Sequence, residues 1–319
     1  MQHYLKIISL ITMPLFLHGI DESKKTYLQD PAPMKTVNVS TNHWETIKNK
    51  LEKKTFKFAK ITIPKSGTHL LHKCIALLSG KKPNDIEKKS KESTPRECKK
   101  TTREIFINAC KRDFIQKILA IQDPSTFSHH LIYTAEYKDF IERYAPTTLF
   151  LIRDPRDQLL SFTNWTCEQS KKGTVDFDNM ILDFIDGKQR YKHCAVKMGT
   201  AADFIWTLGI TEFYKLFLPW TSARNVYTVR FENLVGSKGG GSDELQIQEI
   251  RNIARHLKIP LTDKKLNSVT TNLFGGTGTF VKGQIGSWKK SFTPEHKAAF
   301  KRVAGQLLID LGYEKDLNW

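Results

Sequence analysis

Residues 58–80 read FAKITIPKSGTHLLHKCIALLSG: a β-branched apolar run stops at Pro64, crosses Lys65-Ser66-Gly67-Thr68, and resumes at Leu70. Phe58 to Ile63 has the pattern of a strand, and Gly67 to Leu78 that of a helix closed by Ser79-Gly80. A strand that turns directly into a helix through small residues gathers backbone N–H groups at one point, where an anion can sit. Lys65 adds a mobile positive charge to that loop. A second unit of the same kind is TTLFLIRDPRDQLLSF, with a strand over Thr147–Ile152 and Asp154-Pro155 as cap and first-turn pair of the next helix. Further helices are predicted over Phe177–Gly187 and Ala201–Leu218, and a third strand over Asn225–Leu234. A last helix starts at the Thr293 cap and Pro294. Strands alternating with helices predict an α/β fold: a three-layer domain whose central, mostly parallel sheet is flanked by helices.

The chain has 319 residues, enough for one large domain or two small ones. Fifty Lys and Arg against 33 Asp and Glu give a formal charge of +17, which favours anionic partners such as a nucleotide or an acidic glycan. Much of that excess, as in Lys81 to Lys100, is equally explained as solvated surface. The five cysteines, Cys74, Cys98, Cys110, Cys167 and Cys194, include no CxxC pair, so neither a zinc site nor a disulfide framework is indicated. His69 and His72 stand at i, i+3 without a third ligand nearby, and no metal is expected. Residues 1–20 carry an apolar stretch from Ile7 to Leu17 that is short for a membrane span. It reads as a signal-peptide core or as an apolar N-terminal segment, so location is left between cytoplasm and export, and any membrane association would run through this segment. Residues 21–55 are a polar linker marked by Asp30-Pro31-Ala32-Pro33. Gly236 to Glu244, GSKGGGSDE, reads as a flexible surface loop.

A nucleoside-triphosphatase loop requires G-x-x-x-x-G-K-[ST]. With Lys65-Ser66 as the final pair, the glycine positions hold Ala59 and Pro64, so that motif is absent. The order P-K-S-G-T instead resembles the 5′-phosphosulfate loop of sulfotransferases that use 3′-phosphoadenosine 5′-phosphosulfate (PAPS). Four later stretches resemble that family in order: SHHL its K-T-H-L segment, FLIRDPRDQLLSF its 3′-phosphate segment, VRFENL its Y-E-D-L stretch, and FVKGQIGSWKKSFT its late glycine loop. The resemblance implies a sulfotransferase domain over residues 56–319. It also implies sulfuryl transfer from PAPS to an acceptor hydroxyl or amine, on a glycan or a small alcohol, with no specific nucleic acid as partner.

The roles that the resemblance implies also make physical sense. Lys65 neutralises charge on the leaving oxygen. Ser66, Gly67 and Thr68 hold the 5′-phosphate through backbone N–H groups, and His69, in place of a family Thr, donates to the same phosphate. Arg153 offers a planar fork to the 3′-phosphate, joined by Ser161 from the next helix and by Lys282 and Gly283 from the late loop. His130 takes the acceptor proton, since imidazole with a pKa of about 6.5 is largely neutral at pH 7. His129 and His130 point opposite ways on an extended segment, and His130 is preferred because Leu131 follows it as in the family pattern. Leu70 replaces the family Trp, which leaves Phe231 or Phe280 to stack on adenine, and Val281 and Ser128 replace a family Arg and Lys. Two other readings stand beside this one. A kinase-like phosphotransferase would need Mg²⁺-binding carboxylates that cannot be placed, and a non-enzymatic polyanion-binding protein would use its lysines collectively.

Overall fold

In the computed structural model the described residues are 56–80, 114, 126–169, 176–188, 200–276 and 283–319. The N-terminal segment, the linker, the Lys81–Lys100 stretch, Cys98, Cys110, Cys194, Phe280, Val281 and Lys282 lie outside them. The strands are β1 (Phe58–Thr62), β2 (Thr126–His129), β3 (Thr148–Ile152) and β4 (Val226–Arg230). The α-helices are α1 (Thr68–Ser79), α2 (Ala135–Tyr144), α3 (Pro155–Gln169), α4 (Phe177–Asp186), α5 (Thr200–Lys215), α6 (Phe231–Leu234), α7 (Asp243–His256), α8 (Asp263–Leu273), α9 (Trp288–Ser291) and α10 (Pro294–Asp310). Among the described residues no helix is long and apolar enough to cross a membrane.

The four strands form one sheet in the order β2-β1-β3-β4, and every pairing is parallel. β1 and β3 are buried on both faces, as an all-parallel sheet requires. Alternation along them sends side chains to two cores. Ala59, Ile61, Ile63, Phe150 and Ile152 pack with residues of α2, α3, α4, α5 and α10. Phe58, Leu149, Leu151 and Val229 pack on the other face with residues of α1, α7 and α8. Three layers result, as the alternation of strands and helices predicts. Lys60 breaks the apolar pattern: it is buried, with its ammonium 2.7 Å from Nδ1 of His72 on α1.

Connections that leave β1 on one side toward β2 and on the other toward β3 open a crevice at the carboxyl ends of the central strands. The register fixes what arrives there. Thr62 pairs with Leu151 and Ile152 with Arg230, while Ile61 pairs with His129. The Lys65 loop, Arg153, Phe231 and His130 therefore all emerge at one edge of the sheet.

Three expectations need correction. The strand predicted to run to Leu234 ends at Arg230, because Phe231–Leu234 turns into α6; the Glu232 carboxylate there accepts the Asp154 N–H at 2.8 Å. Gly236 to Glu244 is no loose loop. It contains a 3-10 turn at Ser237–Gly239, Gly239 is buried and its carbonyl accepts the Ile285 N–H at 2.9 Å, and Asp243 and Glu244 open α7 behind the Ser242 cap. The helix predicted over Ala201–Leu218 is interrupted at Gly209 (φ 71°, ψ 166°), where Gly187 packs so closely that a Cβ there would lie 2.5 Å from the Gly209 nitrogen.

Candidate active site

The loop after β1 is built on two left-handed positions, Lys65 (φ 65°) and Gly67 (φ 110°). Ser66 N–H bonds the Ile63 carbonyl at 3.1 Å, and the first bonds inside α1 run from Leu70 and Leu71 back to the Gly67 carbonyl. The N–H groups of the first turn thus have no acceptor within the helix and point from its positive end into the crevice. Ser66 is fully buried and its Oγ has no hydrogen-bond partner among the described residues. Helix α3 holds the loop from behind, since the Gln158 side-chain amide donates to the Pro64 carbonyl at 2.6 Å.

Gly67 is required by close approach as well as by φ. A Cβ at this position would stand 2.5 Å from Cδ2 of Phe231. The same ring carries Arg153 over its face, with Cζ 4.2 Å from the ring centroid. Loop, ring and guanidinium form one continuous stack from β1 to β4 to β3. Arg153 also donates to the Gln284 carbonyl at 3.0 Å, yet its buried Nε–H has no partner among the described residues. Among the described residues no carboxylate lies in ion-pair range of Arg153, which is buried, and Asp154 pairs with Arg156 instead.

Those two carboxylates have other tasks. Asp157 accepts the N–H groups of Gly286 at 2.7 Å and Trp288 at 3.0 Å, and so moors the late glycine loop to α3. Burial pushes its carboxyl above the usual range, against the pull of Arg153. Asp154 pairs with Arg156 at 2.7 Å; Arg156 in turn lies over the rings of both Trp288 and Trp319, which meet edge to face, and bonds Glu314 at 2.5 Å. Trp288 is therefore a packing residue.

Lys65 is half-buried, with its ammonium 5.5 Å from the centre of the Trp165 ring on α3. Burial lowers its pKa, Glu168 opposes this, and Arg153 lowers it further. The loop that carries Lys65 and the arginine at the end of β3 leave paired neighbouring strands at the same edge of the sheet. Ser161 is half-buried on α3, and Gly283 takes φ 59° beside Gly239. His69 is exposed at the start of α1. His130 is exposed too, with Nδ1 2.9 Å from Thr62, whose hydroxyl is 2.9 Å from that of Thr68. Among the described residues no group of three His, Cys, Asp or Glu side chains could hold a metal ion.

Phe231 does not present an open face: it is 3% exposed, with one side under Arg153 and an edge against Gly67. Its place in the site is to support the arginine, which the sequence comparison with Y-E-D-L did not suggest. Gln158, Asp157, Trp165 and Thr62 were also missed. The only signal for the first two was their polarity in the opening turn of a helix that the fold buries at its start.

The sequence matches the family model described as Sulfotransferase domain over residues 60–275. The chain belongs to the sulfotransferase domain family. A search of curated proteins returns no match. Among solved structures, this sulfotransferase domain is similar to a mouse sulfotransferase, SULT7A1, complexed with PAP, at 15% identity and a TM-score of 0.52, covering 86% of this chain and 93% of the other. It is also similar to a retinol dehydratase in complex with androsterone and inactive cofactor PAP, at 13% identity and a TM-score of 0.50, covering 83% and 85%. At such identities the likeness is one of fold, and the sulfotransferase α/β architecture is the one described above.

Proposed function

We propose that the chain transfers a sulfuryl group from PAPS to an acceptor hydroxyl or amine. The observation that carries this reading is the strand register, by which the Lys65 loop and Arg153 leave the paired strands β1 and β3 at the same edge of the sheet. The donor set suits a nucleotide with phosphate on both sides of its ribose. Ser66 Oγ and the first-turn N–H groups of α1 suit one anion, and the unpartnered Arg153 Nε–H suits the other. When bound, PAPS supplies an activated sulfuryl group on a phosphate leaving group.

The chain's own residues then do what such chemistry needs, which is positioning and charge stabilisation. Lys65 neutralises charge that gathers on the bridging oxygen, and His130 removes the acceptor's proton. Arg153, held flat by Phe231, fixes the 3′-phosphate end, with Ser161, Lys282 and Gly283 joining it. The Asp157 carboxylate holds Gly286 and Trp288, at the end of the late loop, against α3.

The test is thermal unfolding with 3′-phosphoadenosine 5′-phosphate (PAP), with and without EDTA, on the wild type and Arg153→Ala. The expected result is stabilisation that ignores EDTA and is largely lost in the variant. Stronger stabilisation by ATP with Mg²⁺ than by PAP would overturn the reading in favour of phosphoryl transfer.

A further inference from the structure

We propose that Thr62 is a positioning residue that sets the proton arrangement of His130 and joins it to the phosphate-binding loop; this rests on the sulfotransferase reading of the site. His130 Nδ1 lies 2.9 Å from the Thr62 main-chain oxygen and 2.9 Å from Thr62 Oγ1. A carbonyl oxygen can only accept, so in the neutral ring the hydrogen is on Nδ1 and the lone pair on Nε2. Thr62 thus determines which nitrogen of His130 is the base.

The same contact orders the hydroxyls. Thr62 Oγ1 is 2.9 Å from Thr68 Oγ1, and Thr62 is buried at 1% exposure. With Nδ1–H directed into Thr62, the Thr62 hydroxyl donates to Thr68 Oγ1. The Thr68 hydroxyl then has its own hydrogen to give to an anion in the loop. The chain runs in one direction: His130 Nδ1–H to Thr62, Thr62 O–H to Thr68, Thr68 O–H to phosphate or sulfuryl oxygen.

This direction matters during transfer. The acceptor's proton passes to Nε2 as its oxygen or nitrogen bonds to sulfur and the bond from sulfur to the phosphate oxygen breaks. No proton leaves the threonines. The ring becomes a cation, its Nδ1–H becomes a stronger donor, and the chain polarises toward the loop. Thr68 therefore donates most strongly when negative charge is growing on the leaving side. Removal of the acceptor proton and stabilisation of the leaving group are coupled through two hydroxyls.

The position of Thr62 follows from the sheet. It is the last residue of β1, on the face opposite Ala59 and Ile61 and toward α1, and the pairing of Ile61 with His129 brings His130 out beside it. Among the described residues no other strand lies between β2, which precedes His130, and β1, which leads into the loop.

The experiment uses the full chain and needs no identified acceptor, because water serves as one. Release of PAP from PAPS is measured for the wild type, Thr62→Val, Thr62→Ser, His130→Gln and the Thr62→Val/His130→Gln double variant, with PAP affinity measured alongside. Thr62→Val keeps the shape and the carbonyl but lacks the hydroxyl. Its turnover should fall roughly 5- to 30-fold, the effect of one hydrogen bond to a charged group, while PAP affinity stays within about twofold. Thr62→Ser should recover most of the loss. In the His130→Gln background Thr62→Val should cost nothing further, whereas a merely structural effect would cost as much in both backgrounds. Nitrogen-15 NMR of labelled histidines, assigned through the signal that His130→Gln removes, should find neutral His130 as the Nδ1–H form. Full turnover in Thr62→Val, multiplicative losses in the double variant, or an Nε2–H tautomer would each overturn the proposal. A wild type that neither binds PAP nor releases it from PAPS would defeat the sulfotransferase reading instead, and the tautomer would still decide the Thr62 contact.

Discussion

Replacing Gly67 by Ala strikes the point where three strand ends meet. The new methyl would stand 2.5 Å from Cδ2 and 3.0 Å from Cε2 of Phe231, where a normal contact is about 3.5–4.0 Å. The ring cannot simply swing aside, because it is buried and Arg153 lies over its face at 4.2 Å. Overpacking of this kind costs about 1–3 kcal/mol. The backbone at φ 110° adds about 1–2 kcal/mol once a Cβ is present. A total of roughly 2–5 kcal/mol corresponds to about 4–20 °C in Tm for a domain of this size. Thermal unfolding measures the loss, and titration calorimetry with PAP measures its effect on the site, where displacement of Arg153 should weaken binding. Phe231→Leu in the Gly67→Ala background should restore the packing part of the loss and leave the backbone part. The reasoning fails if Gly67→Ala matches the wild type in both assays, or if the second substitution brings no relief.

Two further outcomes follow from groups away from the crevice. Glu249 on α7 is buried, accepts the Tyr227 hydroxyl at 3.1 Å, and is pushed by burial from its ordinary 4.5 up to about 7. Because the folded state holds this proton more tightly than the unfolded chain, the contribution of Glu249 to stability should be fully present below pH 4.5 and be lost as pH rises through about 7. Glu249→Gln should remove that decline, on the order of 3 kcal/mol, in urea unfolding compared at pH 5 and pH 8; parallel behaviour of the two proteins would refute it. Trp319→Ala should lower Tm by a few degrees, since Arg156 loses the ring 4.6 Å from its guanidinium but keeps Trp288 and both carboxylates. PAP affinity should be unchanged, and a fall in it would mean that the C-terminus reaches the site.

Much of the fold was legible because its signals are local. A β-branched run ending in Pro64, a left-handed glycine and a resumed helical period specify strand, loop and helix without reference to the rest of the chain. The Asp154-Pro155 pair marks the start of α3 in the same way, and the Thr293 cap that of α10. The misread segments failed for one reason. Phe231 to Leu234 has strand-like composition but turns helical where Glu232 meets the Asp154 N–H, and GSKGGGSDE has linker composition but is fixed by the Gln284-Ile285 segment. In both cases a distant partner overrode the local preference.

Local pattern specifies the units: a strand, turn and helix with Lys65 in the turn, an arginine closing the second strand, and a histidine ahead of it. Their meeting at one edge depends on long-range packing. The strand order β2-β1-β3-β4 delivers His130 beside Thr62, Arg153 onto Phe231, and Phe231 against Gly67. The same packing sets Gln158 under Pro64 and Asp157 under the late loop. Those partners lie far apart in the chain, and periodicity reports only which face a residue takes, never which distant residue meets it there.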